Sequence, residues 1–289
     1  MTYELVIGER MYSTWSMRPW LIFEQFELPV RVVVAPMATP QFAADVERIA
    51  PSLTVPAVRI GDVPVWDSLA IIETLAERHP DCPIWPADPA ARALARSMAS
   101  EMHASYSALR TACPMNLRAL LTGFEATDAV RSDLARLEAL WAMPGGSSVD
   151  PWLFGGYSAA DAMFAPVAAR IAGYGLPVSA RAATYVRAHL SHGPFRRWRA
   201  MAFAADRPME RYETHGLTPA PWPGPTPRPA KAVVAGTAEN ALCPFSGRPA
   251  VDLAEIDGRI IGFCNLFCRD KAVADPDAWP QIAALLDAA

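Results

Sequence analysis

Proline occupies every second position from 219 to 229 in this chain of 289 residues. Because proline lacks an amide hydrogen and fixes φ, such a run excludes helix and favours a stiff, extended segment. The run therefore predicts a linker over residues 207–234. A large body precedes the linker, and a small module over residues 235–289 follows it.

The body changes its secondary-structure pattern near residue 80. Before that point, short β-rich runs alternate with amphipathic helical patterns, which predicts the order β-α-β-α-β-β-α over residues 1–80. The predicted strands cover 3–7, 30–34, 57–60 and 63–66, and the predicted helices cover 16–27, 40–49 and 67–78. An all-helical domain is predicted over residues 88–206. Its helical patterns cover 89–112, 127–143, 159–172, 180–190 and 195–205.

Charge and hydropathy exclude several classes of partner. The net charge is −4 and Lys and Arg form no long run, so we expect neither nucleic acid nor a membrane as a partner. No stretch reaches the 18 or so apolar residues of a membrane span. The first ten residues contain Glu4 and Glu9 and lack a signal pattern, so we expect a cytoplasmic protein. Five cysteines in a chain of this length do not form a disulfide framework.

Three segments of the body carry recognisable motifs. Residues 12–20 place several hydroxyl side chains at the start of the first predicted helix. The tripeptide Thr54-Val55-Pro56 precedes a predicted hairpin, and the pair Asp67-Ser68 follows that hairpin at a helix start. Ser158-Ala-Ala-Asp161 has the spacing of a capping box, in which side chains at the N-cap and third helical positions satisfy each other's main chain.

Together these segments resemble the glutathione transferase family over residues 3–205, with a first motif similar to that of the bacterial, zeta-like serine type. The resemblance implies a thioredoxin-like α/β domain followed by an all-α domain, the glutathione transferase fold. It also implies glutathione as co-substrate, a small electrophile as second substrate, and a homodimer. The loop Pro51-Ser52-Leu53 departs from the family pattern, because it lacks the glycine common there.

The resemblance implies that Ser13 activates the thiol of glutathione. A hydroxyl donor at a helix N-terminus stabilises a thiolate by a hydrogen bond and by the helix dipole. Tyr12, Thr14 and Ser16 are alternatives for this role, and Ser16 could instead cap the helix.

The resemblance assigns the rest of glutathione to the second motif. It implies a cis peptide bond at Pro56, which exposes the main chain of Val55 to the cysteinyl part of glutathione. Asp67 and Ser68 would hold the γ-glutamyl end, because a helix N-terminus favours a carboxylate. An ordinary loop proline and an ordinary helix cap are the alternative interpretation.

The resemblance also implies that the helix that contains His103 faces the groove for the electrophile. His103 could exchange a proton with a substrate, but a solvated helix face explains it as well. Trp15 and Met115 could line an apolar pocket or belong to the core.

The last 55 or so residues contain Cys243, Cys264 and Cys268. The phrases Cys-Pro-x-Ser-Gly and Phe-Cys-Asn-x-x-Cys resemble the TRASH and YHS groups of small metal-associated domains. Asp257-Gly258 predicts a hairpin turn between two strands, followed by a helix, which would bring the first cysteine near the other two. Three thiolates suit zinc or copper(I), although a structural zinc site has four ligands. Asp257 and Asp270 are candidates for the fourth, and three buried reduced cysteines are the alternative.

The resulting hypothesis is a glutathione S-transferase that directs a thiolate at a small electrophile. One alternative is a zeta-like glutathione-dependent isomerase, which does not consume glutathione. The other is a non-catalytic protein that binds glutathione or senses metal.

Overall fold

The structure is a computed structural model that describes residues 2–145 and 150–287. By their internal contacts the residues form two compact units. The first unit consists of Met1–Leu190 and Met209–Pro223, and the second consists of Ser191–Pro208 and Gly224–Ala289. None of the described helices is both long enough and apolar enough to cross a membrane.

A mixed four-stranded sheet opens the first unit. Its strands are β1 (Tyr3–Ile7), β2 (Val30–Val34), β3 (Ala57–Ile60) and β4 (Val63–Trp66). The spatial order is β2-β1-β3-β4, with β1 parallel to β2 and antiparallel to β3. All four strands have the bounds that the sequence predicts. Leu5, Val6 and Ile7 of β1 are fully buried, because this strand lies inside the sheet.

Three helices complete the α/β domain: α1 (Thr14–Gln25), α2 (Gln41–Glu47) and α3 (Ser68–Arg78). Val46 of α2 packs in one buried cluster with Val6 of β1 and Ala57 of β3. The element order is β-α-β-α-β-β-α, so the predicted thioredoxin-like domain is confirmed.

The rest of the first unit is mainly helical. Its helices are α4 (Pro89–Ala104), α5 (Ser107–Ala112), α6 (Asp128–Ala142), α7 (Ala159–Gly173) and α8 (Ala180–Ser191). A short strand β5 (Leu120–Thr122) pairs antiparallel with β6 (Thr218–Ala220) of the returning segment 209–223.

The single helix predicted over residues 89–112 is wrong, because the chain breaks between α4 and α5. Tyr106 adopts a left-handed conformation with φ of 63°. Its buried phenol donates to Glu101 Oε1 at 2.7 Å, and the Leu109 amide donates to Asp133 Oδ2 at 2.9 Å. These contacts hold a backbone conformation that costs energy for a non-glycine residue.

Helix α7 is buried over its whole length and begins at the predicted capping box. Asp161 Oδ2 accepts from the Ser158 amide at 2.9 Å and from the Ser158 hydroxyl at 3.0 Å. Asp161 Oδ1 accepts from the Tyr185 hydroxyl at 2.9 Å and from the Leu153 amide at 3.2 Å. Burial raises the pKa of Asp161 to about 6, and the four donors oppose that rise because they favour the carboxylate.

The second unit contains α9 (Gly193–Ala205), the strands β7 (Ala230–Val233), β8 (Asp252–Ile256) and β9 (Arg259–Phe263), and the helices α10 (Leu266–Ala274) and α11 (Pro280–Asp287). The strands form an antiparallel sheet in the order β7-β8-β9. Asp257 and Gly258, with φ of 52° and 79°, make the turn between β8 and β9, as a two-residue hairpin requires. The predicted hairpin and helix of the C-terminal module are therefore present.

Two features of the structure differ from the sequence-based prediction. The prediction placed residues 195–205 in the helical domain, whereas α9 contacts α10 in the second unit. Arg196 of α9 donates to Asp275 Oδ2 at 2.8 Å and to Oδ1 at 2.6 Å, a pairing between residues far apart in sequence. In addition, β6 and β7 lie within the predicted linker, although that segment is extended there as expected.

Replacement of Asp161 by Asn should lower the free energy of unfolding by about 3 kcal/mol, because an amide cannot accept from all four donors. Urea unfolding followed by tryptophan fluorescence measures the loss. Asp128→Asn is the matched control, since this carboxylate also lies in a first helical turn but is 98% exposed; it should cost less than about 1 kcal/mol. Equal losses in the two variants would contradict the role given to Asp161.

Candidate functional site

A cavity of about 600 Å³ lies within the first unit. The α/β domain contributes residues from the start of α1 and from the loop before β3, and the helical domain contributes residues around α5 and from α7. Its lining includes Tyr12, Ser13, Thr14, Trp15, Met37, Phe42, Leu53, Thr54, Val55, Ala104, Ser105, Ser107, Arg110, Thr111, Pro114, Met115, Arg170 and Tyr212. The size is typical of a small-molecule site.

The four candidate hydroxyls differ in access to this cavity. Ser13 and Thr14 line it, whereas Ser16 is fully buried and does not. Ser13 is the N-cap residue of α1, and its hydroxyl donates to Ser16 Oγ at 2.7 Å. Ser16 Oγ also accepts from the Gly8 amide at 3.1 Å, so Ser16 joins β1 to α1.

Tyr12 lines the cavity but its hydroxyl is bonded elsewhere. The hydroxyl donates to Glu213 Oε1 at 2.9 Å and accepts from the Met209 amide at 3.2 Å. The ring stacks on Tyr212 with centroids 4.9 Å apart. Burial raises the pKa of Tyr12, so the phenol stays neutral near pH 7. These contacts hold the returning segment in place. Of the four candidate hydroxyls, those of Ser13 and Thr14 therefore remain available in the cavity lining.

The second motif has the geometry that the resemblance implies. The Val55–Pro56 peptide bond is cis, and Val55 lines the cavity. Asp67 has φ of 75° and caps α3, with Oδ1 accepting from the Leu69 amide at 2.9 Å. Left-handed backbone at a non-glycine residue is costly and is found at ligand-binding positions.

Ser68 is the first residue of α3 and is 1% exposed. Among the described residues, no atom forms a hydrogen bond with its hydroxyl oxygen. A buried hydroxyl without a partner loses free energy that a suitable ligand could restore. Neither Asp67 nor Ser68 belongs to the lining of the cavity.

His103 contacts the second motif, and its side chain is 30% exposed. Its Nε2 lies 3.2 Å from Asp67 Oδ2, and its ring meets the Trp15 ring edge-on with centroids 5.0 Å apart. The histidine therefore links α4 to the residue that caps α3. Trp15 and Met115 both line the cavity, as one of the two interpretations of the sequence expected.

Sequence reasoning missed several cavity residues, and Arg170 and Tyr212 are the two with polar groups that matter most for the site. Arg170 lies in the otherwise apolar helix α7, and a charged residue at such a position was the available signal. Tyr212 comes from the returning segment, which was predicted as linker, so no local pattern could have indicated it.

In the second unit, the structure brings Cys243, Cys264 and Cys268 together. Their sulfur atoms all lie within 4.8 Å of one another, and Cys264 Sγ is 3.8 Å from Cys268 Sγ. The Ser246 hydroxyl donates to Cys264 Sγ at 3.1 Å, and Asn265 Nδ2 donates to the same sulfur at 3.3 Å. The predicted convergence of the three cysteines is therefore present.

The three thiols have different electrostatic surroundings. Burial opposes ionisation of Cys243, but main-chain amides of Cys264 and Phe245 and the contacts with Ser246 together lower its pKa to about 7. Burial and the neighbouring Cys243 raise the pKa of Cys268 to about 12. Within the described ranges, no histidine, carboxylate or further cysteine joins the cluster. Asp270, a candidate fourth ligand, instead accepts from Arg269 at 2.7 Å.

Sequence comparisons match parts of the chain to known proteins. Residues 12–78 match the family described as "Glutathione S-transferase, N-terminal domain". A Caenorhabditis elegans protein described as "Probable maleylacetoacetate isomerase" is 32% identical over 89 residues, which are 31% of this chain and 41% of that protein. The match thus spans about two fifths of the curated relative's length.

Solved structures extend the likeness over more of the chain. A glutathione transferase homologue from Burkholderia GL BGR1, with bound glutathione, aligns with a TM-score of 0.56 at 19% identity, covering 71% of this chain and all of that one. Glutathione transferase Omega 2S from Trametes versicolor, in complex with 2,4-dihydroxybenzophenone, aligns with a TM-score of 0.52 at 22% identity, covering 68% of this chain and 93% of that one. The chain therefore has the glutathione transferase fold: a thioredoxin-like domain followed by a helical domain.

Proposed function

We propose that the protein is a serine-type glutathione transferase, which binds glutathione and directs its thiolate at a small electrophile. The observation that carries this proposal is the buried, unpartnered hydroxyl of Ser68. It lies at the N-terminus of α3, beside a left-handed Asp67. A helix N-terminus with a free donor suits a carboxylate, and the γ-glutamyl end of glutathione carries one.

The remaining parts of glutathione find complementary groups nearby. Asp67 would accept from the γ-glutamyl ammonium, and the main chain of Val55, after which the cis bond falls, would pair with the cysteinyl residue. Ser13 lines the same cavity as Val55, so the thiol would lie near the N-terminus of α1. The Burkholderia structure holds bound glutathione, which supports glutathione as the ligand of this fold.

The chemistry needs an ionised thiol. The thiol loses its proton to solvent, and the Ser13 hydroxyl, with the dipole of α1, stabilises the sulfur anion. The thiolate attacks an electrophilic carbon, a carbon–sulfur bond forms, and the leaving group departs with its electron pair.

The match to the nematode protein described as a probable maleylacetoacetate isomerase favours the zeta-like isomerase as a second candidate. In that reaction the thiolate adds to the substrate and is later expelled, so glutathione is regenerated. Product analysis with labelled glutathione separates the two reactions. The homodimer stays a prediction, as does non-catalytic binding.

Ser68→Ala should weaken glutathione binding about tenfold, the effect of a lost hydrogen bond to a charged group. It should leave the free energy of unfolding nearly unchanged, because the hydroxyl has no partner among the described residues. Calorimetry with glutathione and urea unfolding measure the two effects. Ser158→Ala is the matched control: its hydroxyl serves Asp161, so it should lose about 1 kcal/mol of stability while glutathione affinity stays unchanged. If folded wild-type protein did not bind glutathione, that result would contradict the proposal.

Ser13→Ala should raise the pKa of bound glutathione and reduce kcat/KM with a model electrophile by roughly 10- to 100-fold, because the thiolate loses one donor. Glutathione affinity should change little. The measurement is a pH–rate profile with calorimetry alongside. Thr14→Val provides the comparison, since Thr14 is the neighbouring hydroxyl of the cavity lining. Loss of activity in Thr14→Val with retention in Ser13→Ala would assign the donor to Thr14.

We also infer that Cys243, Cys264 and Cys268 bind one metal ion, with zinc as the first candidate and copper(I) as the second. A tetrahedral zinc with Zn–S bonds of about 2.3 Å separates its sulfur ligands by about 3.8 Å. The Cys264–Cys268 sulfur distance of 3.8 Å fits this value, and Cys243 lies within the same 4.8 Å cluster. Bound metal would act as a structural staple that adds to the core of this small module.

Protein purified without chelators should contain about one equivalent of zinc or copper by elemental analysis, because three converging thiolates form a high-affinity site. Cys264→Ser should lower the metal content at least severalfold. Cys82→Ser is the control, since Cys82 lies in the first unit, and it should change nothing. Metal below about a tenth of an equivalent, with three titratable thiols and a folded module, would favour plain reduced cysteines.

A further inference from the structure

The lining of the cavity is positively charged. Arg110 and Arg170 belong to it, and none of the described lining residues is an aspartate or a glutamate. The remaining walls combine hydroxyls with apolar groups such as Met37, Phe42 and Met115. A ligand that fills this space needs an apolar body and a negative charge.

Arg170 is the buried cation of the cavity, at 6% exposure. Its Nε donates to the Cys113 carbonyl at 2.8 Å and its Nη1 donates to the Pro166 carbonyl at 3.2 Å. These bonds orient the guanidinium without neutralising it. Burial and the nearby Arg110 lower its pKa to about 10, the response of a desolvated cation near a second one.

A third arginine lies behind the cavity wall. Arg18 is 1% exposed, and its Nε and Nη1 form no hydrogen bond with any described residue. Its guanidinium lies 4.3 Å from the centroid of the Trp15 ring, and that of Arg110 lies 4.6 Å from the same centroid. Burial, Arg170 and Arg110 lower the pKa of Arg18 to about 9, and the Asp67 carboxylate partly opposes this fall.

The three arginines therefore concentrate positive charge. In the described parts of the chain none of them forms an ion pair with a carboxylate, and the Asp67 carboxylate acts on Arg18 only from beyond ion-pair distance. A buried charge without a partner is costly, so such a cluster is typical of a site that gains its counter-ion from a ligand. The planar guanidinium matches a carboxylate in two hydrogen bonds, which makes arginine the usual residue for this recognition.

We propose that the electrophilic substrate carries a carboxylate, bound by Arg110 and Arg170 in the cavity that Ser13 also lines. The proposal deepens, and rests on, the proposed transferase function. With a chloromethyl aryl carboxylate, the thiolate forms a bond to the chloromethyl carbon, and chloride leaves with the electron pair of the broken carbon–chlorine bond.

Binding is tested first with an unreactive pair, 4-ethylbenzoate and the neutral 4-ethylbenzamide, by calorimetry on the full chain. Wild type should bind the carboxylate at least about tenfold more tightly, the effect of a hydrogen-bonded charge pair. Arg170→Met should remove the preference and Arg170→Lys should retain part of it. Since Arg170 also bonds two carbonyls, Arg110→Met is the second variant, because Arg110 is only partly buried. Arg187→Met, an exposed arginine outside the cavity, is the control and should keep the preference.

Turnover is then compared for 4-(chloromethyl)benzoate and its methyl ester, each relative to its uncatalysed reaction with glutathione. Wild type should favour the acid, and the acid-to-ester ratio in kcat/KM should fall about tenfold in Arg170→Met and Arg110→Met. Equal binding of the benzoate and the benzamide would overturn the inference, whether or not glutathione binds. Tight benzoate binding without glutathione binding would support the carboxylate site while rejecting the transferase. If both arginine variants instead weaken glutathione tenfold and leave the acid-to-ester ratio unchanged, the arginines serve glutathione and the inference is wrong.

Discussion

The buried carboxylate of Asp161 sets the position of the helix on which the helical domain is built. Four donors converge on it, and through them it joins the start of α7 to the preceding loop and to α8. A helix that is buried along its whole length has little freedom to slide, because any shift would break close packing on every side. The same helix carries Arg170 to the cavity and bonds it to the Cys113 carbonyl. The electrostatics of the cavity thus depend on a capping box that contacts none of it.

On the side of the cavity where glutathione would bind, some hydroxyls form hydrogen bonds within the protein and others are available to a ligand. Ser16 and Tyr12 hold the chain together, the former between β1 and α1 and the latter to the returning segment. The Ser68 hydroxyl forms no hydrogen bond with the described residues. The Ser13 hydroxyl donates to the Ser16 hydroxyl, and a hydroxyl is a weaker acceptor than a thiolate. A sulfur anion near Ser13 would therefore compete well against Ser16 for its proton. Ser68, whose hydroxyl has no partner among the described residues, and Ser13, whose acceptor is another hydroxyl, are the two hydroxyls that the proposed function uses.

Local sequence patterns predicted the elements whose stability is local. The four strands of the first sheet follow from β-rich runs bounded by turns, and the Asp257-Gly258 hairpin follows from two residues that tolerate positive φ. The break at Tyr106 could not be predicted this way, because its cost is met by Glu101 and by an aspartate on another helix. The association of α9 with the C-terminal segment likewise depends on Arg196 and Asp275, which are remote in sequence. At the site, motif residues were predictable through resemblance, whereas Arg170 and Tyr212 reach the cavity by tertiary packing.

The arginines and Ser13 would act on the same sulfur if the proposed function holds. A hydrogen bond stabilises a thiolate at short range, whereas a buried cation such as Arg170 acts over several ångströms, because burial reduces screening by water. Arg110 and Arg170 would thus lower the pKa of the glutathione thiol even before an electrophile binds. An anionic electrophile would then neutralise part of this charge on arrival, which raises the energy of the neighbouring thiolate and makes it a better nucleophile. Binding of the second substrate and activation of the first would be coupled through the charge of the cavity, without any movement of the chain.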